Sequence, residues 1–156
     1  MSTTETTQEA AWMRQQALKA LAGAKAAMEM AGAPLPTIVC LCGSTRFFDA
    51  FRRANLERTL AGEIVLSIGC DTKSDADLGS GAGDLAPLKE MLDELHKRKI
   101  DLADKVLVVS DEAGYFGEST RGEIAYAVAH GKPVEFAEPA AEKRARDAGL
   151  IGEPSP

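Results

Sequence analysis

Between Thr37 and Phe136 four short apolar runs alternate with three helix-like stretches. The runs read TIVCLC at 37–42, EIVLSI at 63–68, KVLVVS at 105–110 and VEF at 134–136. Short runs that stay apolar through successive residues suit strands buried on both faces, the setting of a parallel sheet. The stretches at about 47–60, 85–103 and 120–130 fit helices, closed by Ala61-Gly62 in the first case and Gly131-Lys132-Pro133 in the last. Strand–helix–strand alternation with short connections demands right-handed crossovers. The expected fold is therefore α/β: a doubly wound, flavodoxin-like or Rossmann-like parallel sheet of four to five strands with helices on both faces.

The two ends look like additions to this unit. Residues 1–36 form an N-terminal extension, 37–137 the α/β domain, and 138–156 a short helix near 140–148 with a disordered tail. Residues 1–6 are expected to be disordered. Thr6-Thr7-Gln8-Glu9 fits a capping box, in which Thr and Glu satisfy free backbone amides. The helix then runs to about Ala31 with an apolar stripe of Ala10, Met13, Ala17, Leu21, Ala24, Met28 and Ala31, and Gly32, Pro34 and Pro36 stop it. That stripe is expected to cover either the body of the domain or another subunit.

Composition excludes several classes. No apolar run approaches the roughly 18–20 residues that span a bilayer, so no membrane association is expected. The opening MSTTETTQEA has no basic segment followed by an apolar one, so no secretory signal is expected. The formal charge is −6, from 18 basic and 24 acidic residues. A nucleic-acid polymer needs a basic face and is not an expected partner. A small phosphorylated ligand needs only an arginine and a few backbone amides. Three cysteines are too few for a disulfide framework. Cys40 and Cys42 have the spacing of neighbours on one strand face, whereas zinc would want Cys-x-x-Cys or nearby histidines, and only His96 and His130 are present. Neither metal nor cofactor is expected, and a reduced, cytoplasmic protein is the default.

In doubly wound folds ligands bind beyond the carboxyl ends of the strands, near the point where strand order reverses. This selects three loops. The first is Gly43-Ser44-Thr45-Arg46. Gly43 allows a sharp turn off the strand, Ser44 and Thr45 add hydroxyls, and Arg46 adds a positive fork beside a helix N-terminus. The same residues also suit a helix cap with a surface ion pair. The loop is not a Walker A motif, because the Gly-Lys-Ser/Thr ending is missing. The second loop, 69–84, is rich in Gly, Asp and Ser and reads as a flexible lid. Asp71 at its start is placed either to bind a sugar hydroxyl or simply in solvent. The third, 111–123, holds Gly114 and Gly117, which allow close approach to a ligand, and Tyr115 and Phe116, which could stack on a base. Thr120-x-x-Glu123 forms a second capping box. Glu123 is therefore either a cap or a carboxylate facing the strand ends, suited to act as a nucleophile or to hold an oxocarbenium-like charge.

The helix at 85–103 carries Leu85, Leu88, Leu92, Leu95 and Leu102 at helical spacing, with Lys99 on the same stripe and His96 at its edge. A snorkelling lysine and a half-exposed histidine explain this, or else His96 and Lys99 face the ligand. His130, just before Gly131, suits the helix C-terminus, where a cation is favoured by the macrodipole.

Three stretches carry a resemblance: Cys42-Gly43-Ser44-Thr45-Arg46-Phe47, Ala103-Asp104-Lys105-Val106-Leu107-Val108-Val109, and Ser119-Thr120-Arg121-Gly122-Glu123-Ile124-Ala125-Tyr126-Ala127 followed by Gly131-Lys132-Pro133-Val134. In order and spacing the chain resembles the nucleoside 2-deoxyribosyltransferase-like superfamily over about 37–137. That group includes deoxyribosyltransferases and nucleoside 5′-monophosphate N-glycosidases. The resemblance implies a doubly wound fold, a homo-oligomer (dimer or higher), and cleavage of the bond between base and sugar. It implies that Glu123 is the nucleophile. It also implies that Gly43, Ser44 and Arg46 contact substrate, phosphate included in the nucleotide-specific branch, and that Ser119 and Thr120 add phosphate or sugar contacts. Many members carry an aspartate eight residues before the one matching Asp104. His96 stands there instead, so either the histidine takes that part or Asp93 or Asp101 does.

The expected activity is hydrolysis or transfer at the N-glycosidic bond of a nucleoside or nucleoside 5′-monophosphate. Glu123 and His96 are the expected catalytic pair. Gly43, Ser44, Arg46, Asp71, Lys99, Tyr115, Gly117, Ser119 and Thr120 are the expected substrate contacts. The alternatives are a nucleotide-binding module that senses without cleaving, and an interaction protein that docks through its alanine-rich helix.

Overall fold

The computed structural model describes residues 3–68 and 86–153, with side chains from residue 7 onward. The chain divides into two compact units, 1–36 and 37–156. The first is a single helix, α1, Thr3–Met30. It starts inside the segment expected to be disordered, so Thr6 is not its N-cap. At its end the amide of Ala33 donates to the carbonyl of Met28 at 2.9 Å, a wrapped C-terminus. None of its described side chains is buried: Leu18 and Leu21 are half-buried, while Met13 and Met28 of the expected stripe are exposed.

The second unit alternates strand and helix: β1 Ile38–Gly43, α2 Phe48–Leu60, β2 Ile64–Leu66, α3 Ala86–Leu102, β3 Lys105–Val109, α4 Glu118–Ala129, β4 Val134–Phe136 and α5 Pro139–Asp147. The strands pair in the order β2-β1-β3-β4, all parallel. The chain moves outward from β1 to β2 and then crosses back over β1 to reach β3. The reversal lies between β1 and β3, whose register ends at the pair Gly43 and Val109. The doubly wound architecture follows from the sequence pattern, with a sheet of four strands among the described residues.

Alternate residues of the strands feed two cores, as the two-residue strand period requires. Val39, Leu41, Leu107 and Val109 pack with Phe51 and Ala54 of α2 on one face. Cys40, Cys42, Val106 and Val108 pack on the other with Ile100 of α3, Ile124 and Ala127 of α4, and Ala141 and Ala145 of α5. Burying side chains of this size contributes about 1.5–3 kcal/mol each. The helix at 139–147 thus belongs to the core of the α/β unit.

The buried face of α3 differs from the leucine stripe. Leu95 and Leu102 are about half exposed, while His96, Ile100 and Asp101 are buried. Asp101 is a structural acid. It accepts a hydrogen bond from the Tyr126 hydroxyl at 2.7 Å and pairs with Arg98 Nε at 3.1 Å. Lys132 caps the same helix, its ammonium donating to the carbonyls of Asp101 at 3.0 Å and Ala103 at 2.6 Å.

At the amino end of the sheet Lys105 bridges Glu63 at 2.6 Å and Glu135 at 3.1 Å, and Arg58 pairs with Glu135 at 2.8 Å. These charges lie at the end of the strands opposite the site described next. No described helix is long and apolar enough to cross a membrane.

Candidate functional site

The loops after β1 and β3 close around a pocket of about 270 Å³ at the carboxyl ends of the strands. Its wall holds Gly43, Ser44 and Arg46 from the first loop, Tyr115 and Gly117 from the second, Ser119, Thr120 and Glu123 from α4, and His96 from α3. Nine of the eleven expected site residues therefore meet in one place. Thr45, Ile68, Lys89 and Glu118 also line it. Lys89 lies one turn into α3, on its exposed side in the linear pattern, where nothing in the sequence distinguishes it from other surface lysines.

Gly43 earns its place through close approach. A Cβ there would lie 2.3 Å from the carbonyl oxygen of Val109, its partner in the last pair of the ladder. The side-chain-free contact lets β1 and β3 run together to the rim. The next residues turn, with the amide of Phe47 donating to the carbonyl of Ser44 at 3.0 Å. Phe47 is the N-cap of α2 and makes no side-chain cap. Ser44 and Thr45 are thus not helix caps, and both line the pocket. Arg46 is exposed, its guanidinium 4.9 Å from the Tyr115 ring centre, and Phe47 meets the same ring edge-on at 6.1 Å.

Tyr115 itself is held by its backbone, the amide donating to Asp111 Oδ1 at 2.9 Å. The two aromatics of this loop separate in role: Phe116 is buried in the core and does not line the pocket. Gly114 also departs from expectation. Its close approach is to α5, where a Cβ would lie 2.3 Å from Ala140 C and Ala141 N, rather than to a ligand. Gly117 does face the pocket, and it is the N-cap of α4.

That N-cap decides the reading of Glu123. With α4 beginning at Glu118, Thr120 lies inside the first turn, buried, and Glu123 lies in the second turn. The apparent capping box at Thr120–Glu123 is therefore not one. Glu123 turns instead toward α3, its Oε1 3.8 Å from His96 Nε2. Both side chains are mostly buried, with 13% and 6% exposure.

Beneath the pair lie two thiols. His96 Nε2 is 3.4 Å from Cys42 Sγ and 3.7 Å from Cys40 Sγ. Both cysteines are fully buried on the β1 face that packs against α3 and α4. Hydrogen bonding from Cys42 lowers the Cys40 thiol to about 6, against the opposing effect of burial and with further help from His96. Cys42 is pushed up by burial, by Cys40 and by the Glu123 carboxylate. Burial alone would lower His96, but Cys40 and Glu123 outweigh it and raise the imidazole above its usual 6.5. The surroundings of His96 therefore favour its protonated form, with Cys40 and Glu123 acting against burial. Cys40, Cys42 and His96 are also a set of side chains able to hold a metal ion.

Two expected residues are not among these nine. The Lys99 ammonium donates to the carbonyl of Ser67 at 2.8 Å, just past β2, and is not part of the pocket wall. Asp71 and the expected lid at 69–84 lie outside the described residues. Of the alternative acids, Asp101 is committed to Tyr126 and Arg98 away from the pocket, while Asp93 accepts from the Ser119 hydroxyl at 3.3 Å in the adjoining groove. His130 ends α4, stacked on Tyr126 at 4.0 Å and remote from the site.

Comparison of the chain with family models, curated proteins and solved structures gives no match.

Proposed function

We propose that this chain cleaves the N-glycosidic bond of a nucleoside or nucleoside 5′-monophosphate, in the manner of the superfamily that its motifs resemble. The observation that carries the reading is the convergence of Glu123 and His96 at 3.8 Å on a pocket whose rim is the Gly43–Arg46 loop. A carboxylate beside an imidazole can supply a nucleophile and a proton donor, the two roles that a pair of carboxyl groups fills in most glycosidases.

In this reading Glu123 attacks the anomeric carbon as the bond to the base breaks and its electron pair moves onto the base. His96 Nε2 gives its proton to the departing base nitrogen. Water then opens the glycosyl ester in hydrolysis, or a second base does so in transfer. Arg46, Ser44 and the first-turn amides of α4 hold a 5′-phosphate, since amides at a helix N-terminus lack intrahelical acceptors. Tyr115, already packed under Arg46, stacks on the base or sugar. By the same resemblance the chain assembles as a homo-oligomer, which light scattering in solution tests; a cytoplasmic location follows only from the reduced cysteines.

A second reading, nucleotide binding without cleavage, is favoured by one observation. The position eight residues before Asp104 is His96 rather than the aspartate frequent in the superfamily. Incubation with a panel of nucleosides and 5′-monophosphates, followed by chromatography, separates the two. Release of free base from at least one member supports cleavage. Tight binding of a nucleotide that stays intact over hours supports sensing, and neither outcome with any member contradicts both.

A further inference from the structure

The cysteines of β1 make and break no bond in the reaction proposed above, yet both sulfurs lie close to His96 Nε2. They occupy alternate positions of one strand, so both sulfurs face α3, and Ile100 of the next helical turn seals the same face. The three ligand atoms, Cys40 Sγ, Cys42 Sγ and His96 Nε2, all lie within 4.8 Å of one another. A tetrahedral zinc ion with bonds of about 2.3 Å to sulfur and about 2.0 Å to nitrogen holds its sulfur and nitrogen ligands about 3.5 Å apart. The two sulfur–nitrogen separations here are 3.4 and 3.7 Å.

We propose that Cys40, Cys42 and His96 form a binding site for a thiophilic divalent cation of the zinc class, reached from the pocket past His96 and Glu123. Sulfur and imidazole ligands select zinc over magnesium or calcium, which prefer oxygen. Both thiols are free and reduced in the structure, as ligation requires. Three protein ligands leave a fourth tetrahedral position. The nearest described oxygen ligand on the pocket side is Glu123 Oε1, 3.8 Å from the imidazole nitrogen. The separation of Cys42 from His96 by 54 positions explains why no zinc motif is visible in the linear order. Binding does not depend on the proposed glycosidic reaction. If that reaction is correct, one consequence follows: a metal on His96 Nε2 replaces the proton destined for the base, so loading with zinc silences base release.

The test uses the full chain, purified under reducing conditions and stripped with chelator. Zinc is titrated in competition with a chromophoric chelator, and cobalt is added separately as a spectroscopic probe. The site predicts about one zinc ion per chain and, with cobalt, a sulfur-to-metal charge-transfer band with the visible bands of tetrahedral cobalt. C42S and H96A each weaken zinc binding by more than about a hundredfold, beyond the loss typical of an outer-shell partner. H130A, remote from the site, leaves it unchanged, and circular dichroism confirms that each variant is folded. If a serine substitution unfolds the chain, C42A and H96Q carry the same comparison. Absence of stoichiometric zinc binding, a cobalt spectrum without the sulfur band, or binding unchanged in folded C42S and H96A overturns the proposal. None of these readouts involves base release, so failure here and failure of the glycosidic reading are separate results.

Discussion

Glu123 Oε1 and His96 Nε2 stand 3.8 Å apart although one belongs to α4 and the other to α3. The sheet brings them together. Both helices cover the same face, and β3, which links them in sequence, lies directly beside β1 and its cysteines. Cys40 and Glu123 both favour a proton on His96, against the opposing effect of burial.

His96→Gln keeps a polar side chain of similar reach but removes the titrating ring. It is expected to lower base release by about a hundred- to ten-thousandfold, the usual worth of a positioned general acid. Thermal unfolding of the variant should show a folded protein, so that the loss is assigned to chemistry. A variant that is folded and as active as the parent would remove His96 from the reaction.

Arg46 lies at the rim, exposed and stacked on Tyr115, and no core packing depends on it. Arg46→Ala should raise KM for a 5′-monophosphate by about ten- to a hundredfold, the value of a charge-assisted contact, and leave the corresponding nucleoside nearly unaffected. Steady-state kinetics with the two substrates side by side checks this. Equal losses for both would place Arg46 away from the phosphate.

Glycines near the site divide into two kinds. Gly43→Ala drives a methyl to 2.3 Å from the Val109 carbonyl, and Gly114→Ala drives one equally close to the α5 backbone at a φ of +73°. Each is expected to cost about 1–3 kcal/mol or more, because backbone rather than a flexible side chain must move. Gly117→Ala meets nothing nearer than the Tyr115 hydroxyl at 3.7 Å and should leave stability almost unchanged. Urea unfolding of the three variants tests the order.

The amino end of the sheet supplies a pH prediction. The hydrogen bond to Glu63 raises Lys105 above its usual 10.5, against a smaller effect of burial, and Glu135 adds to the rise. The folded state thus holds this proton more tightly than the unfolded chain. Its stabilising effect is complete below the unfolded value and disappears as pH climbs through the higher folded one. Lys105→Met should be less stable than the parent at pH 8 by about 1–2 kcal/mol. The gap should narrow when unfolding is repeated at increasingly alkaline pH beyond the ordinary lysine range. A gap that stays constant would show that the ion pairs contribute nothing specific.

The strands were the most legible part of this chain, because TIVCLC and KVLVVS are short, rich in β-branched residues and apolar on both faces. The parallel sheet and the placing of its loops follow from them, and so do most of the pocket residues; the strand order came only with the structure. The helices were less legible. Leucines at 92, 95 and 102 mimic a buried stripe, but the face of α3 that meets the sheet turns on His96 and Ile100, leaving Leu95 and Leu102 in solvent. The spacing of Thr120 and Glu123 imitates a cap because any Thr and Glu three apart does so. Only the start of α4 at Glu118 removes that reading. Tyr115 and Phe116 are adjacent and chemically alike, and their opposite fates depend on how the loop meets the core. The meeting of Cys40 and Cys42 with His96 is a product of tertiary packing and has no local signature.

The central claim is that the Glu123 carboxylate attacks the anomeric carbon. It is tested most directly by the rate of base release from the best substrate, compared between the parent and Glu123→Gln at equal, verified fold. The account predicts a fall of about a thousandfold or more, since the amide keeps the shape but not the nucleophile. Base release by Glu123→Gln at the parental rate would contradict it.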